Sequence, residues 1–241
     1  MFRIRIQNKK KCIWYCSAVV SFLLFLLLLG WTNHLANTQD AQQMAGRWSE
    51  KKDVAQISCF FSSKAEVTED TIQSFEYSLK NVLQEASITE TSENPSARLW
   101  VDAYSADGKI TLVNGRNTLD ANAIGIGGDF FLFHPLKLIT GSYFSGNDLM
   151  QDYCIIDQDA AWQLFGSNDV VGMTVYIGNV PHIVTGVVRR PQGRMEKAAG
   201  LTSTVVYVSY ETLEAYGTSN GINHYEIVMP NPVDEVAYGK V

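Results

Sequence analysis

Between Cys12 and Trp31 the chain reads CIWYCSAVVSFLLFLLLLGW, twenty residues without a charge. A helix of about 20 apolar residues is what crosses roughly 30 Å of bilayer hydrocarbon. The segment is therefore expected to lie in a membrane. Trp14 and Tyr15 at one end and Trp31 at the other suit the two interfaces, where amphipathic rings settle.

Arg3, Arg5, Lys9, Lys10 and Lys11 precede the run, and no acid occurs before Asp40. Positive flanks stay on the cytoplasmic side, which puts everything after the helix outside. A cleaved signal peptide would have an apolar stretch of only about 7–15 residues ending at a small-x-small site. Here the run is longer, and His34-Leu35-Ala36 places a bulky ring where a small residue belongs. The chain thus divides into a cytoplasmic basic tail (1–11), a transmembrane helix (12–31) and a polar helical stalk (32–53) ending near Gly46. An extracytoplasmic body (54–230) follows, then a closing segment (231–241).

Beyond residue 39 the chain holds 14 basic against 25 acidic residues, a net charge of −11. Affinity for nucleic acid comes mainly from Lys and Arg neutralising phosphates, so no nucleic-acid partner is expected. Cys12 and Cys16 lie one helical turn apart in the apolar run and read as packing residues. Cys59 and Cys154 sit in strand-like stretches and read as two buried thiols, although their compartment would permit a bridge.

Within the body, Val54 to Ser62 has the composition of a buried strand. Thr68 caps a helix whose apolar residues Ile72, Phe75, Leu79, Val82, Leu83 and Ala86 recur at helical spacing. Arg98 to Tyr104 and Ile110 to Val113 are expected as two strands about a turn at Asp107-Gly108, with another turn at Asn114-Gly115. Gly125-Ile126-Gly127-Gly128 also reads as a turn, since it lacks the lysine and following helix of a phosphate loop. Asp157 is the expected N-cap of a helix over Gln158 to Phe165, and Gly166 its left-handed stop. Thr174 to Ile177 and Val180 to Val188 form a hairpin around Gly178-Asn179, with Pro181 at an edge. A strand (Thr204 to Val208), a helix opened by Ser209 and a strand (Ile222 to Met229) complete an α+β body.

No catalytic, cofactor-binding or metal-ligating residue is assigned. His34, His134, His182 and His224 are far apart and lack zinc-ligand spacing, and His134 and His182, each beside a proline, read as loop or edge residues. Ser142 in Gly141-Ser142-Tyr143 is not in the GxSxG context that exposes a nucleophile. The pairs Asp157 with Asp159 and Asp148 with Asp152 read as capping and solvated groups rather than acid–base or calcium sites. The aromatic stretch FFLFHPLKLITGSYF (Phe130 to Phe144) reads as core, with an exposed partner surface as the alternative.

One phrase structure carries a family resemblance. Leu138, Gly141 and Phe144 are followed by the apolar Ile155-Ile156. Ala160 and Leu164-Phe165-Gly166 come next, and then Asp169, Val171-Gly172, Val175, Ile177, Val184, Gly186, Val187 and Val188. This resembles the MacB-type periplasmic core domain, found between the first and second membrane helices of FtsX-like ABC permeases. In layout the likeness covers roughly residues 12–230, and its specific residues fall within about 50 positions. The resemblance implies two lobes, about 54–128 with 203–230 and about 129–202, and a domain that transmits conformational change for export or extracytoplasmic signalling. It implies an ABC ATP-binding subunit, a second permease copy and the lipid bilayer as partners. Three further membrane helices are expected after residue 241 in such a permease, so this chain reads as a fragment or as a product unable to transport alone. The alternative is a membrane-tethered domain that binds a ligand or partner without an ATPase; a tethered hydrolase has less behind it.

Overall fold

The computed structural model describes residues 2–37, 40–49, 53–88, 98–190, 193 and 203–231. The closing segment from residue 232 onward, and most of 191–202 at the end of the second expected lobe, lie outside the described residues. The chain divides into two compact units, Met1–Gln43 and Met44–Val241.

The first unit is a helix, α1 (Phe2–Asn37), followed by a 3₁₀ turn at Asp40–Gln43. Ile13–Leu35 is long and apolar enough to cross a membrane, and none of it is buried. The expected stalk (32–53) is described only in part, because 38–39 and 50–52 lie outside the described residues. The α-helix stops its described run at Asn37, the 3₁₀ turn follows, and a separate short helix, α2 (Met44–Trp48), contains Gly46. The sequence from 33 to 40 is rich in Asn, Thr and Asp, residue types that favour turns over helix interiors.

The second unit begins with α2, whose Met44 is buried, and contains one ten-stranded sheet. In chain order its elements are β1 (Val54–Phe60), α3 (Glu69–Glu85), β2 (Val101–Asn114), β3 (Asn117–Gly128), α4 (Phe130–Phe133), β4 (Leu138–Gly141) and β5 (Tyr153–Asp157). There follow α5 (Gln158–Phe165), β6 (Thr174–Ile177), β7 (Val180–Val188), β8 (Val205–Ser209), α6 (Tyr210–Tyr216), β9 (Thr218–Ser219) and β10 (His224–Pro230).

The pairings β2–β3, β3–β8, β8–β5, β5–β7, β7–β6 and β6–β2 close a six-strand ring. β10 and then β1 extend it outward from the beginning of β2. The ring falls into two contiguous arcs, β2, β3 and β8 from the first expected lobe and β5, β7 and β6 from the second, which join where β8 lies against β5 and β6 against β2. Alternation along the strands splits the core into two faces. Ala106, Ile110, Leu112, Cys154, Ile156, Val206 and Val208 belong to one cluster, which α3, α5 and α6 cover with Leu79, Leu83, Leu164 and Leu213. Val101, Ala103, Ile126, Ile155, Val188 and Val228 belong to the other, with Met44 and the aromatic group Phe130, Phe131, Phe133 and Phe144.

Two expected turns are strand instead. Asp107-Gly108 lies inside β2, a single strand of 14 residues. A Cβ on Gly108 would stand 2.3 Å from the Thr218 carbonyl oxygen, so glycine is required there by β9 and α6 packing against the strand. Gly125 to Gly128 is the end of β3. Gly127 pairs with Tyr104, and a Cβ on it would fall 1.9 Å from that ring, while a Cβ on Gly125 would meet Leu213 at 2.8 Å. These glycines admit neighbours and do not bend the chain.

Candidate functional site

Among the described residues no group of three or more His, Cys, Asp or Glu side chains is arranged to hold a metal ion. His182 is a buried strand residue, 1% exposed, and its ring nitrogens stand 3.0 Å from the Val180 carbonyl and 3.3 Å from Thr212 Oγ1. The loop or edge reading of His182 is therefore corrected: Pro181 is the second residue of β7, and its neighbour turns inward beside Thr212 of α6. Burial lowers the His182 pKa, so the ring is neutral at pH 7. His134 caps the end of α4, stacks on Phe130 and is in hydrogen-bond contact with Glu226, whose other oxygen accepts from Ser58 Oγ at 2.9 Å. The serine is bonded to the carboxylate and not to the imidazole, so the trio lacks the nucleophile–base contact of a hydrolase. His224 packs edge-on against Phe60. Ser142 donates its backbone N–H to the Thr185 carbonyl at 3.0 Å.

Cys59 and Cys154 are free thiols. Cys154 is wholly buried, and burial pushes its pKa up to about 12, which removes the reactive thiolate.

The strongest polar constellation centres on Asp157. One oxygen caps α5 by accepting from the Ala160 N–H at 2.8 Å. The other accepts from Arg190 at 2.6 Å and from the Val205 N–H at 3.0 Å. Arg190 also reaches Asp159 at 2.7 Å and Thr204 Oγ1 at 3.1 Å. Capping was the role expected of Asp157. The arginine that neutralises it lies 33 residues away, and only the β5–β7 pairing brings it there. Asp148 accepts the Ser145 N–H at 3.0 Å, again a capping role, whereas Asp152 Oδ1 is buried without a partner.

Beside this node opens a cavity of about 480 Å³. Ile124, Leu136, Val188, Val205 and Tyr207 supply apolar wall, and Lys137 and Arg189 supply charge. Tyr207 is held neutral by burial, which pushes its pKa up to about 12. Across the sheet, Asp102, Glu76, Tyr104 and Tyr225 form a partly buried acidic group. Tyr225 donates to Asp102 at 3.1 Å and Tyr104 to Glu69 at 2.8 Å. Burial, then the charge and hydrogen bond of Asp102, raise the Glu76 pKa to about 8, and burial also raises that of Asp102. Neither the cavity nor this group was anticipated. Arg189-Arg190 at the end of an apolar strand was the one local signal available for the cavity.

Fold and site together define a mixed α/β domain carried behind one membrane-length helix, built around packing and ion pairs. The chain belongs to the MacB-like periplasmic core domain family, whose profile matches residues 20–237. It is 31% identical over 98 residues to the macrolide export ATP-binding/permease protein MacB of Pasteurella multocida, covering 40% of this chain and 14% of that protein. The MacB of Neisseria gonorrhoeae is 36% identical over 80 residues, covering 32% of this chain and 12% of the relative. The chain thus spans about a seventh of the length of the first of these relatives. Among solved structures, the periplasmic region of MacB from Actinobacillus actinomycetemcomitans aligns with a TM-score of 0.44 at 23% identity, over 60% of this chain and 65% of that one. The extracellular domain of the noncanonic ABC-type transporter YknZ from Gram-positive bacteria aligns with a TM-score of 0.45 at 18% identity, over 76% and 88%. The domain is a periplasmic core domain of MacB/FtsX-like ABC transporter permeases.

Proposed function

We propose that the chain is the first membrane helix and outward-facing domain of an ABC permease, passing conformational change between an ATP-binding subunit and the extracytoplasmic side. The observation that carries this is α1: a 23-residue apolar stretch, Ile13–Leu35, none of it buried. Five basic residues stand on its N-terminal side and an acidic body follows. The N-terminus is then cytoplasmic and the body extracytoplasmic. The partners are an ATP-binding subunit, engaged through further membrane helices, a second permease copy and the bilayer. The body contributes no catalysis in this reading.

The test joins the chain to the C-terminal membrane helices of a family permease and co-expresses it with the matching ATP-binding subunit. Co-purification is expected, together with a nucleotide-dependent change in protease protection of the body. A body equally protected with and without ATP would overturn the transmission role. The cavity beside Asp157 favours a second reading, a tethered ligand-binding domain working without an ATPase, for which ligand occupancy is indifferent to nucleotide.

A further inference from the structure

At the mouth of the cavity, Arg189 donates its backbone N–H to the Lys137 carbonyl at 2.8 Å. This contact continues the β4–β7 ladder one step past Leu138 and Val188, so two exposed cations are cross-strand neighbours. Like charges in that relation repel and destabilise the pair. Neither has an ion-pair partner among the described residues, although the body is strongly acidic. Arg190, the next residue, has two carboxylates. Behind the cations, Ile124, Leu136 and Tyr207 are only partly buried, leaving apolar surface open to the cavity. A volume of about 480 Å³ lies within the roughly 300–1,000 Å³ of small-molecule sites, which are likewise mostly apolar with few polar anchors.

We propose that this cavity binds one single-chain anionic amphiphile, with its apolar tail against Ile124, Leu136 and Tyr207 and its head between Lys137 and Arg189. An anion there relieves the repulsion between the two cations, whereas a cationic head adds to it. The site holds whether or not an ATPase works alongside, so its failure would leave the permease reading standing.

The test uses the full chain in phosphatidylcholine nanodiscs, photolabelled with dodecanoate bearing a terminal diazirine and mapped by peptide mass spectrometry. Label is expected on the peptides containing Ile124, Leu136 and Tyr207. Unlabelled dodecanoate and dodecyl phosphate are expected to compete, and dodecyltrimethylammonium is not. K137E/R189E is expected to lower cavity labelling at least tenfold and K137Q/R189Q by a smaller factor. The exposed control pair K109E/R116E is expected to leave it unchanged. Thermal melting confirms that each variant is folded, and the glutamine pair decides the matter if the glutamate pair is not. Label confined to α1, equal competition by the ammonium compound, or undiminished labelling in a folded double variant would each overturn the proposal.

Discussion

Asp157 and Arg190 form a pair in which the carboxylate side chain is 3% exposed and the guanidinium 15%. Removing one partner of such a pair leaves the other charge desolvated and two backbone N–H groups without acceptors. Asp157→Ala is therefore expected to cost about 3–5 kcal/mol, read as a lowered urea midpoint. Asp159 is 45% exposed in its contact with the same arginine, and Asp159→Ala is expected to cost under about 1 kcal/mol. Glu76 answers to pH. Its folded-state pKa of about 8 lies above the ordinary carboxyl value of 4.5. The folded protein then holds a proton that the unfolded chain has already released between these values. Its contribution is present below pH 4.5 and is lost as pH rises toward 8. Glu76→Gln should flatten the fall in melting temperature over that window, and an unchanged slope would assign the dependence to other groups.

Elements whose boundaries depend on local chemistry were legible in the sequence. Thr68, Asp157 and Ser209 begin helices, Gly166 ends one at φ 72°, and Gly178-Asn179 turns the β6–β7 hairpin with both residues at positive φ. Glycines set by distant neighbours were not legible. Gly108 faces Thr218, and Gly127 faces Tyr104, with Gly146 on its backbone, and no nearby residue announces either contact. The same limit hid the candidate site, because Lys137 and Arg189 become neighbours only once β4 and β7 are in register. A methyl group at Gly127 has to displace the Tyr104 ring. Gly127→Ala is expected to destabilise by at least about 1–3 kcal/mol, whereas Gly46→Ala, with nothing within 4 Å of the added carbon, should be neutral or stabilising by up to about 1 kcal/mol. Thermal unfolding of both variants checks the contrast.

At the scale of the whole molecule, the long apolar helix was the plainest feature to read, because twenty uncharged residues in a row favour an uninterrupted helix. The stalk was harder: polar residues after a membrane helix can extend it or break it, and composition does not distinguish the two. Orientation is open to a direct measurement. Leu149 is fully exposed at 101% while Cys154 is at 0%, so a Leu149→Cys variant offers a readily reached thiol on the body. A membrane-impermeant maleimide added to spheroplasts is expected to modify it without lysis; modification only after lysis would put the body in the cytoplasm.

Strand β2 has β3 along one edge and β10, β9 and β6 in succession along the other. Its 14 residues reach about 46 Å at roughly 3.3 Å each, and the strand ties the β1–β10 extension to the ring. Such a strand is a keel: it holds β3 in one arc of the ring and β6 in the other.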